Sequence, residues 1–349
     1  MLRYLLRRCF YGLLVLLGVV VTVFFLFQGF GDPSRLVIGQ RADAATQENI
    51  RKEMYLDQPR WKQFVFYLND ISPVGIHTRA EIREKGIRGI FIGGGNRVVA
   101  LKWPYLRRSY QSKREVWNIL MEALPGTLVL ALSAMALATV LGIGLGVLAA
   151  IKKGTWMDTT SIFVSVLGIS APSFFMGILI AYVLGFVLSG VTGLHMTGSL
   201  FDTDPFAGRQ LQLRNLILPA LTLGIRPMAI IAQLTRGSLL DTLDQDFIRT
   251  AYAKGLSKRV VVWKHGLRNA LNPVITAITG WFAELLAGAF FVETIFGWKG
   301  IGKVTVDALE KLDFPVVMGS VLVSSFFFIV VGVLSDLLYG LIDPRVRVI

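Results

Sequence analysis

Four stretches of this chain run uncharged far longer than a soluble fold tolerates: Cys9 to Gly31, Ala123 to Ile151, Thr159 to Leu194 and Phe314 to Ser335. Each reaches the roughly 20 apolar residues that carry a helix across a hydrocarbon core. Two more are interrupted by a single charge, Leu216 to Thr235 by Arg226 and Val274 to Val292 by Glu284. The expectation is an all-α integral membrane protein with six transmembrane helices. Composition agrees, with 54% hydrophobic and only 17% charged residues over 349 positions, too apolar for a soluble domain of that size.

Basic residues near the span ends set the orientation. Arg3, Arg7 and Arg8 place the N-terminus in the cytoplasm. The run after them is longer than a signal-peptide core, and QGFGDPS offers no small-x-small cleavage site, so it reads as a retained first span. Six alternating spans then put Lys152, Lys153, the 236–272 segment and the tail residues Arg345 and Arg347 inside. That segment holds seven Lys or Arg against three Asp. The basic stretch from Gln28 to Glu122 falls outside, where long loops are exempt from the charge rule. The net charge of +13 therefore follows topology. No basic recognition helix, zinc spacing or RNA-binding motif accompanies it, so no nucleic-acid partner is expected. The single Cys9 cannot form an internal disulfide.

Between the fourth and fifth spans, DFIRTAYAKGLSKRVVVWKHGLRNALNP is too charged for lipid, yet it is patterned as two short amphipathic helices. Asp244 can N-cap the first, with Gln245 and Asp246 near its positive end. Phe247, Ile248, Ala251 and Tyr252 form an apolar stripe at helical spacing. Gly255 supplies a stop, and Ser257 can cap a second helix that Asn272-Pro273 ends. Such a knob suggests a docking surface for another protein; the alternative is that the stripe packs back on the chain's own helices.

The outer segment reads as a polar helix followed by an amphipathic one, up to Ser72. A hairpin follows, with Gly93-Gly94-Gly95 turning between β-prone runs. The triplet lacks the helix and Lys-Ser/Thr of a phosphate-cradling loop. A second near-miss, GWKGIGK at Gly297 to Lys303, has Val304 where the magnesium-binding Ser or Thr belongs. It reads as a tight extracytoplasmic turn. His77, His195 and His265 lie in different loops, and no H-E-x-x-H or G-x-S-x-G occurs. No catalytic, cofactor or metal residue is assigned, and the chain is not expected to be an enzyme.

Nearly the whole sequence resembles the B-type inner-membrane permease subunit of dipeptide, oligopeptide and nickel ABC importers. The likeness is carried by MLRYLLRR and GDPSRLVIG, by LDQPRWKQFVFYL, and by ALPGTLVLALSAMALATVLGIGLGVLAAIKKGTWMD. ISAPSFFMGILIAYVL, LILPALTLGIRPMAIIAQLTRGSLLDTL, VETIFGWKGIGKVTVDALEKLDFPVVMGSVLV and DLLYGLIDPRVR continue it in order. The polar island is similar to that family's ATPase-docking loop. With Gly255 as anchor, the general motif's acidic-Ala-Ala positions fall on Arg249, Thr250 and Ala251, and its I-x-L-P positions on His265, Gly266, Leu267 and Arg268. The generic consensus is therefore not met. Val74 to Leu101 looks like an insertion relative to shorter members.

The resemblance implies a type I ABC importer permease fold with an extra N-terminal helix (1–27), an extracytoplasmic segment (28–117) with its insertion, and a five-helix core (118–343). The docking loop is placed at 241–273. It further implies a bacterial inner-membrane protein with both termini in the cytoplasm and an importer of peptides or a related small solute. The partners implied are a paralogous permease, two ATPase subunits, an extracytoplasmic solute-binding protein and membrane lipid, with no cofactor. In the docking loop Asp246, Phe247, Arg249, Ala251, Lys254, Gly255, His265 and Arg268 are the candidates. Phe247 and Ala251 would fill a groove in the ATPase, with Arg249 and Lys254 at its rim. Arg226 and Glu284 are candidate pathway or interface charges, either paired or facing a watery path. The rival reading, a self-contained secondary transporter or channel, rests on those two charges but lacks a repeat between the halves.

Overall fold

A computed structural model describes residues 2–29, 55, 57–204 and 208–342. The polar helix expected before Tyr55 and the tail cations Arg345 and Arg347 lie outside the described residues. The chain runs α1 (Leu2–Gly29), α2 (Arg60–Ile71), β1 (Val74–Thr78), α3 (Arg79–Lys85), β2 (Gly89–Ile92), β3 (Arg97–Lys102), α4 (Val116–Ile151), α5 (Trp156–Ser170) and α6 (Ser173–Tyr182). Then come β4 (Phe201–Asp204), β5 (Gly208–Leu211), α7 (Arg214–Leu243), α8 (Asp246–Ala253), α9 (Asn272–Gly288), α10 (Phe290–Ile295), α11 (Ile301–Glu310) and α12 (Phe314–Ile342).

Among the described residues, four helices are long and apolar enough to cross a membrane: Leu5–Phe27 of α1, α4, α7 and Phe314–Leu337 of α12. The run from Thr159 to Leu194, read from sequence as one span, is broken. Its two helical halves meet at 112°. The cause is local, because Pro172 forces Ala171 into extended backbone at ψ 133° and ends α5. If the bent pair is one span, the count is five. The run around Glu284 forms α9, of 17 residues, slightly short of a full crossing.

The chain divides into two compact units. The larger comprises Met1–Leu13, Leu124–Lys303 and Ser324–Ile349. Its core gathers Leu130, Ala134, Leu218, Ile231, Val292, Phe296 and Trp298. Helices α4 and α7 approach through glycine: a Cβ on Gly142 would lie 2.8 Å from the Met228 carbonyl oxygen, and one on Gly146 2.6 Å from that of Ala232. Four-residue spacing of small residues is how spans pack closely where lipid removes the hydrophobic drive.

The smaller unit comprises Leu14–Ala123 and Val304–Val323. Helix α2 lays Phe64 and Tyr67 against Phe24 of α1, with ring centroids 5.1 and 5.6 Å apart. Phe27 meets Phe314 edge-on at 5.2 Å. The expected hairpin exists as β2 and β3, and β1 joins it as a third antiparallel strand in the order β1-β3-β2. Helix α3 starts with a capping box between Thr78 and Glu81.

Charge collects inside this unit. The buried Asp70 carboxylate takes Lys85 Nζ at 2.7 Å and Arg107 Nη2 at 3.3 Å, and Lys102 Nζ donates to its backbone carbonyl. Burial pulls the Lys85 amine down, but Asp70 and Tyr55 more than offset that and leave it above the usual lysine value. For Lys102 the compensation falls short. Burial, reinforced by the Lys85 charge, holds its amine down at about 8 despite Asp70. His77, buried on β1, is lowered first by burial and then by Lys102.

Candidate functional site

The 241–273 loop is two helical arms, as its periodicity predicts, with different boundaries. Asp244 does not cap the first arm; it ends α7, and Gln245 in extended backbone is the N-cap of α8. The reason is geometric, since Asp244 keeps right-handed helical dihedrals (φ −84°, ψ −4°) that an N-cap residue does not adopt. Gly255 closes α8 with φ +77°. Its N–H donates to the Tyr252 carbonyl at 2.9 Å, and the Leu256 N–H to that of Ala251 at 3.3 Å. This is a Schellman turn, and its left-handed position is one that glycine fills without strain.

The apolar stripe is divided. Ile248 (1% exposed) and Ala251 pack with Val261 against Leu243 and Leu256. Phe247 (39% exposed) and Tyr252 remain open. Ala251 is thus part of the chain's own packing, and Phe247 and Tyr252 are the side chains of the stripe left uncovered. Arg249 pairs only loosely with Asp246, at 3.4 Å on the surface, and Lys254 is exposed.

The second arm runs from Lys258 through a π-helical turn at Val261–Gly266 to Ala270. Val262, Leu267 and Ala270 pack on Val147, Ala150 and Leu239. The loop is therefore rooted on the ends of α4 and α7. Arg268 is exposed and His265 half-buried, while Trp263 presents its ring to solvent. Pro273 sits in the first turn of α9 and opens that helix.

Next to this loop lies a contact that residue spacing does not reveal. Arg236 of α7 grips Asp158 of α5 through two bonds, Nε–Oδ1 at 2.5 Å and Nη2–Oδ2 at 2.8 Å. Asp158 also accepts the Gly154 N–H at 3.0 Å. The two residues are far apart in sequence, and each alone reads as an ordinary span-end charge.

Arg226 and Glu284 do not pair. The Arg226 guanidinium lies 5.6 Å from the centroid of the Trp281 ring, and both charged residues are exposed on this chain. The GWKGIGK turn also resolves. The amides that open α11 hold a carboxylate from the chain itself: Lys303 N donates to Glu293 Oε2 at 3.1 Å, and Gly302 N bonds the same carboxylate. Thr127 Oγ1 donates to Glu293 Oε1 at 2.7 Å and accepts from Ile301 N at 2.8 Å. A Cβ on Gly300 would fall 2.3 Å from that carboxylate. A helix N-terminus that could cradle phosphate is already filled.

Known proteins match over nearly the whole length. Residues 142–348 fit the family described as binding-protein-dependent transport system inner membrane component, and residues 1–131 fit its N-terminal companion. The chain is 34% identical to the dipeptide transport system permease protein DppB of Escherichia coli K12, covering 99% of each chain. It is 30% identical to the DppB of Alkalihalophilus pseudofirmus, covering 99% of this chain and 100% of that one. The glutathione transport system permease protein GsiC of E. coli K12 is 34% identical, again with 99% of each covered. A structure of the MetNI methionine ABC transporter in an inward-facing conformation superposes with a TM-score of 0.50 at 19% identity. It covers 64% of this chain and 96% of that one, a likeness of fold alone.

Proposed function

The chain belongs to the family of binding-protein-dependent transport system inner membrane components, and on that premise we propose that its 241–273 loop is the surface through which an ATPase subunit drives transport. It is a multi-pass membrane protein, a permease subunit of an ABC importer with the type I permease fold, and not itself an enzyme. The observation that carries the docking assignment is the divided stripe. One half (Ile248, Ala251, Val261) roots the first arm in the chain, and the other (Phe247, Tyr252) is left uncovered beside Arg249 and Lys254. An exposed aromatic on an anchored helix is a hot-spot arrangement.

A push on α8 passes into α7 through Leu243, and the second arm carries it into α4 and α7 through Val262, Leu267 and Ala270. Rigid-body displacement of those spans would switch access to the pathway. In this reading α5 and α6 form one bent span and α9 crosses with its neighbours' support. The resulting six crossings put the loop and both termini in the cytoplasm of a bacterial inner membrane. The partners are a paralogous permease, two ATPases and an extracytoplasmic binding protein. The cargo class is short peptides or a related small solute, the printed cargoes of the relatives being dipeptides and glutathione. Arg226 and Glu284 are assigned to the pathway or to the interface with the second permease.

Copurification tests the assignment. The wild-type chain should retain an ATPase, and Phe247→Asp should lose it while remaining inserted in the membrane. Full retention by the variant would remove Phe247 as the anchor. Topology is read separately in a Cys9→Ser background. Asn96→Cys should react with an impermeant thiol reagent from outside and Lys258→Cys should not. The reverse pattern would mean that the orientation drawn from the basic residues is inverted, and labelling of both sites that the bent pair re-enters rather than crosses.

A further inference from the structure

The outer sheet is apolar on the side that faces away from its own unit. Strand register places Val74 opposite Leu101 and Ile76 opposite Val99 on one flank, with Ile90 opposite Leu101 and Ile92 opposite Val99 on the other. All six side chains are exposed. Six branched aliphatics in cross-strand register form a continuous patch of the kind that soluble surfaces avoid. Arg97 marks one end of the patch and Arg88 the other, and Trp103, 72% exposed, directly follows β3.

At the Arg88 end opens a cleft of about 480 Å³, lined by Trp103, Tyr105, Trp117, Arg88, Arg107 and Glu115 among others. Its field is positive. Arg88 has no ion-pair partner among the described residues. Behind the Arg107 wall a single carboxylate, Asp70, pairs with Lys85 and Arg107, and a third cation, Lys102, is held on its backbone carbonyl. Arg107 Nε is buried without a hydrogen-bond partner. Against these stands Glu115, half-engaged by Asn118 Nδ2 at 3.4 Å.

The depth of the cleft selects among anionic partners. Trp117 lies on the first turn of α4, whose uncharged run opens at Ala123. At 1.5 Å per residue Trp117 stands about 9 Å outside the hydrocarbon, just beyond a headgroup layer about 5–8 Å deep. The unit is packed on membrane helices besides, through Phe24 and Phe27 of α1 and Phe314 of α12. Exposed tryptophan, arginine and aliphatic side chains at that level form the chemistry of an interfacial surface.

We infer that this sheet face and its adjoining cleft bind an anionic phospholipid of the outer leaflet, with the headgroup between Arg88 and the Trp103–Trp117 walls and the six aliphatics turned to the lipid surface. The inference rests on the proposed orientation only in naming the leaflet. The occupant follows from an excess of cations, an apolar face and a position beside the headgroup layer.

The test uses the full chain in nanodiscs, where both leaflets carry the probe and the result does not depend on which way the chain crosses. Brominated phosphatidylglycerol and brominated phosphatidylcholine are compared as quenchers of tryptophan fluorescence, and the Trp103 contribution is isolated as the difference from Trp103→Phe. That contribution should be quenched more strongly by the phosphatidylglycerol, and Arg88→Gln should bring the two lipids to equality. Equal quenching of wild type by both lipids, or none by either, overturns the proposal. So does loss of the preference on adding millimolar inorganic phosphate, which would reveal a site for a free anion. Trp103 that is quenched in the lone chain but shielded from both lipids in the assembled importer would assign the face to a protein partner instead.

Discussion

The 241–273 loop buries Ile248, Ala251 and Val261 and turns Asp246, Arg249 and Lys254 to water, whereas the outer sheet buries Asp70, His77 and Lys102 and turns six aliphatics outward. Both mix charged and apolar residues and both belong to units anchored on membrane helices, yet they are built with opposite sides inward. The difference teaches what each expects to meet. A surface rich in charge with one or two aromatic anchors suits a protein partner that arrives through water. An apolar face over a charged interior makes sense only where the outside is itself apolar or is covered.

The contrast is tested most severely by removing one carboxylate from each region. Asp70→Asn leaves Lys85, Lys102 and Arg107 clustered and uncompensated, and breaking a buried pair in this way costs about 3–5 kcal/mol. The outer segment should become protease-sensitive and the melting temperature should fall, with ATPase retention preserved. Asp246→Asn, whose partner Arg249 is a surface residue 3.4 Å away, should leave melting unchanged. Comparable losses in the two variants would erase the distinction between a charged interior and a charged rim.

Within the loop the same logic separates neighbouring residues. Phe247→Asp removes an uncovered anchor and should weaken ATPase association by about 2 kcal/mol, roughly 30-fold, with the loop still folded. Ile248→Ala should instead loosen α8 from Val261 and Leu256, seen as faster amide exchange between Asp246 and Leu256. Gly255→Pro should do both, because proline cannot reach the φ of +77° found there. Identical exchange patterns in the Phe247 and Ile248 variants would show that the stripe is not divided.

How much of this was legible depended on the range of the interaction. The helices of the loop are written in i to i+4 spacing and a glycine stop, and both were readable. The hairpin at β2 and β3 was readable from its glycine turn. β1 was not, because its pairing with β3 is non-local: Ser72-Pro73 marks a turn before VGIHT, but nothing in so short a run names its partner strand. The placement of Asp244 was misjudged because α7 continues through it, and helix continuation competes with capping at such boundaries. The Asp70 cluster, the Asp158–Arg236 grip and the Glu293 cradle join residues distant in sequence, and nothing short of the folded chain brings them together. The bend at Pro172 was visible as a proline, but apolar composition alone hid its consequence.

Acidity offers a finer cut between the two regions. The Lys102 amine titrates at about 8 in the folded chain against 10.5 unfolded. Between those values the unfolded state binds more protons, so this group makes stability rise with pH across that window; below about 8 both states are protonated and its cost is constant. Below about pH 10 the neighbouring groups leave the trend intact: Lys85 is raised above the ordinary lysine value and His77 is lowered below 6.5, while the Tyr67 phenol, pushed up from 10.0 by burial, works against it only as the pH reaches about 10. Melting of the outer segment should therefore shift upward from pH 8 to 10, and Lys102→Met should abolish the shift. A shift unchanged in that variant would assign the effect elsewhere.

The smallest effect concerns a third placement of charge, on a membrane helix. Arg226 is turned out of the chain like the loop cations, but its guanidinium rests over Trp281 at 5.6 Å from the ring centroid. Such a contact is worth about 0.5–1 kcal/mol where water reaches it. A double-mutant cycle on Arg226→Gln and Trp281→Leu, read as melting of the purified chain, should return coupling of that size. The same cycle on Arg226→Gln and Glu284→Gln should return none, and the charge swap Arg226→Glu with Glu284→Arg should not restore transport lost in either single variant. Strong coupling between the two charges would mean that they meet in another state of the transport cycle. Arg226 would then belong with the buried cations of the outer unit, held by a carboxylate, rather than with those of the loop.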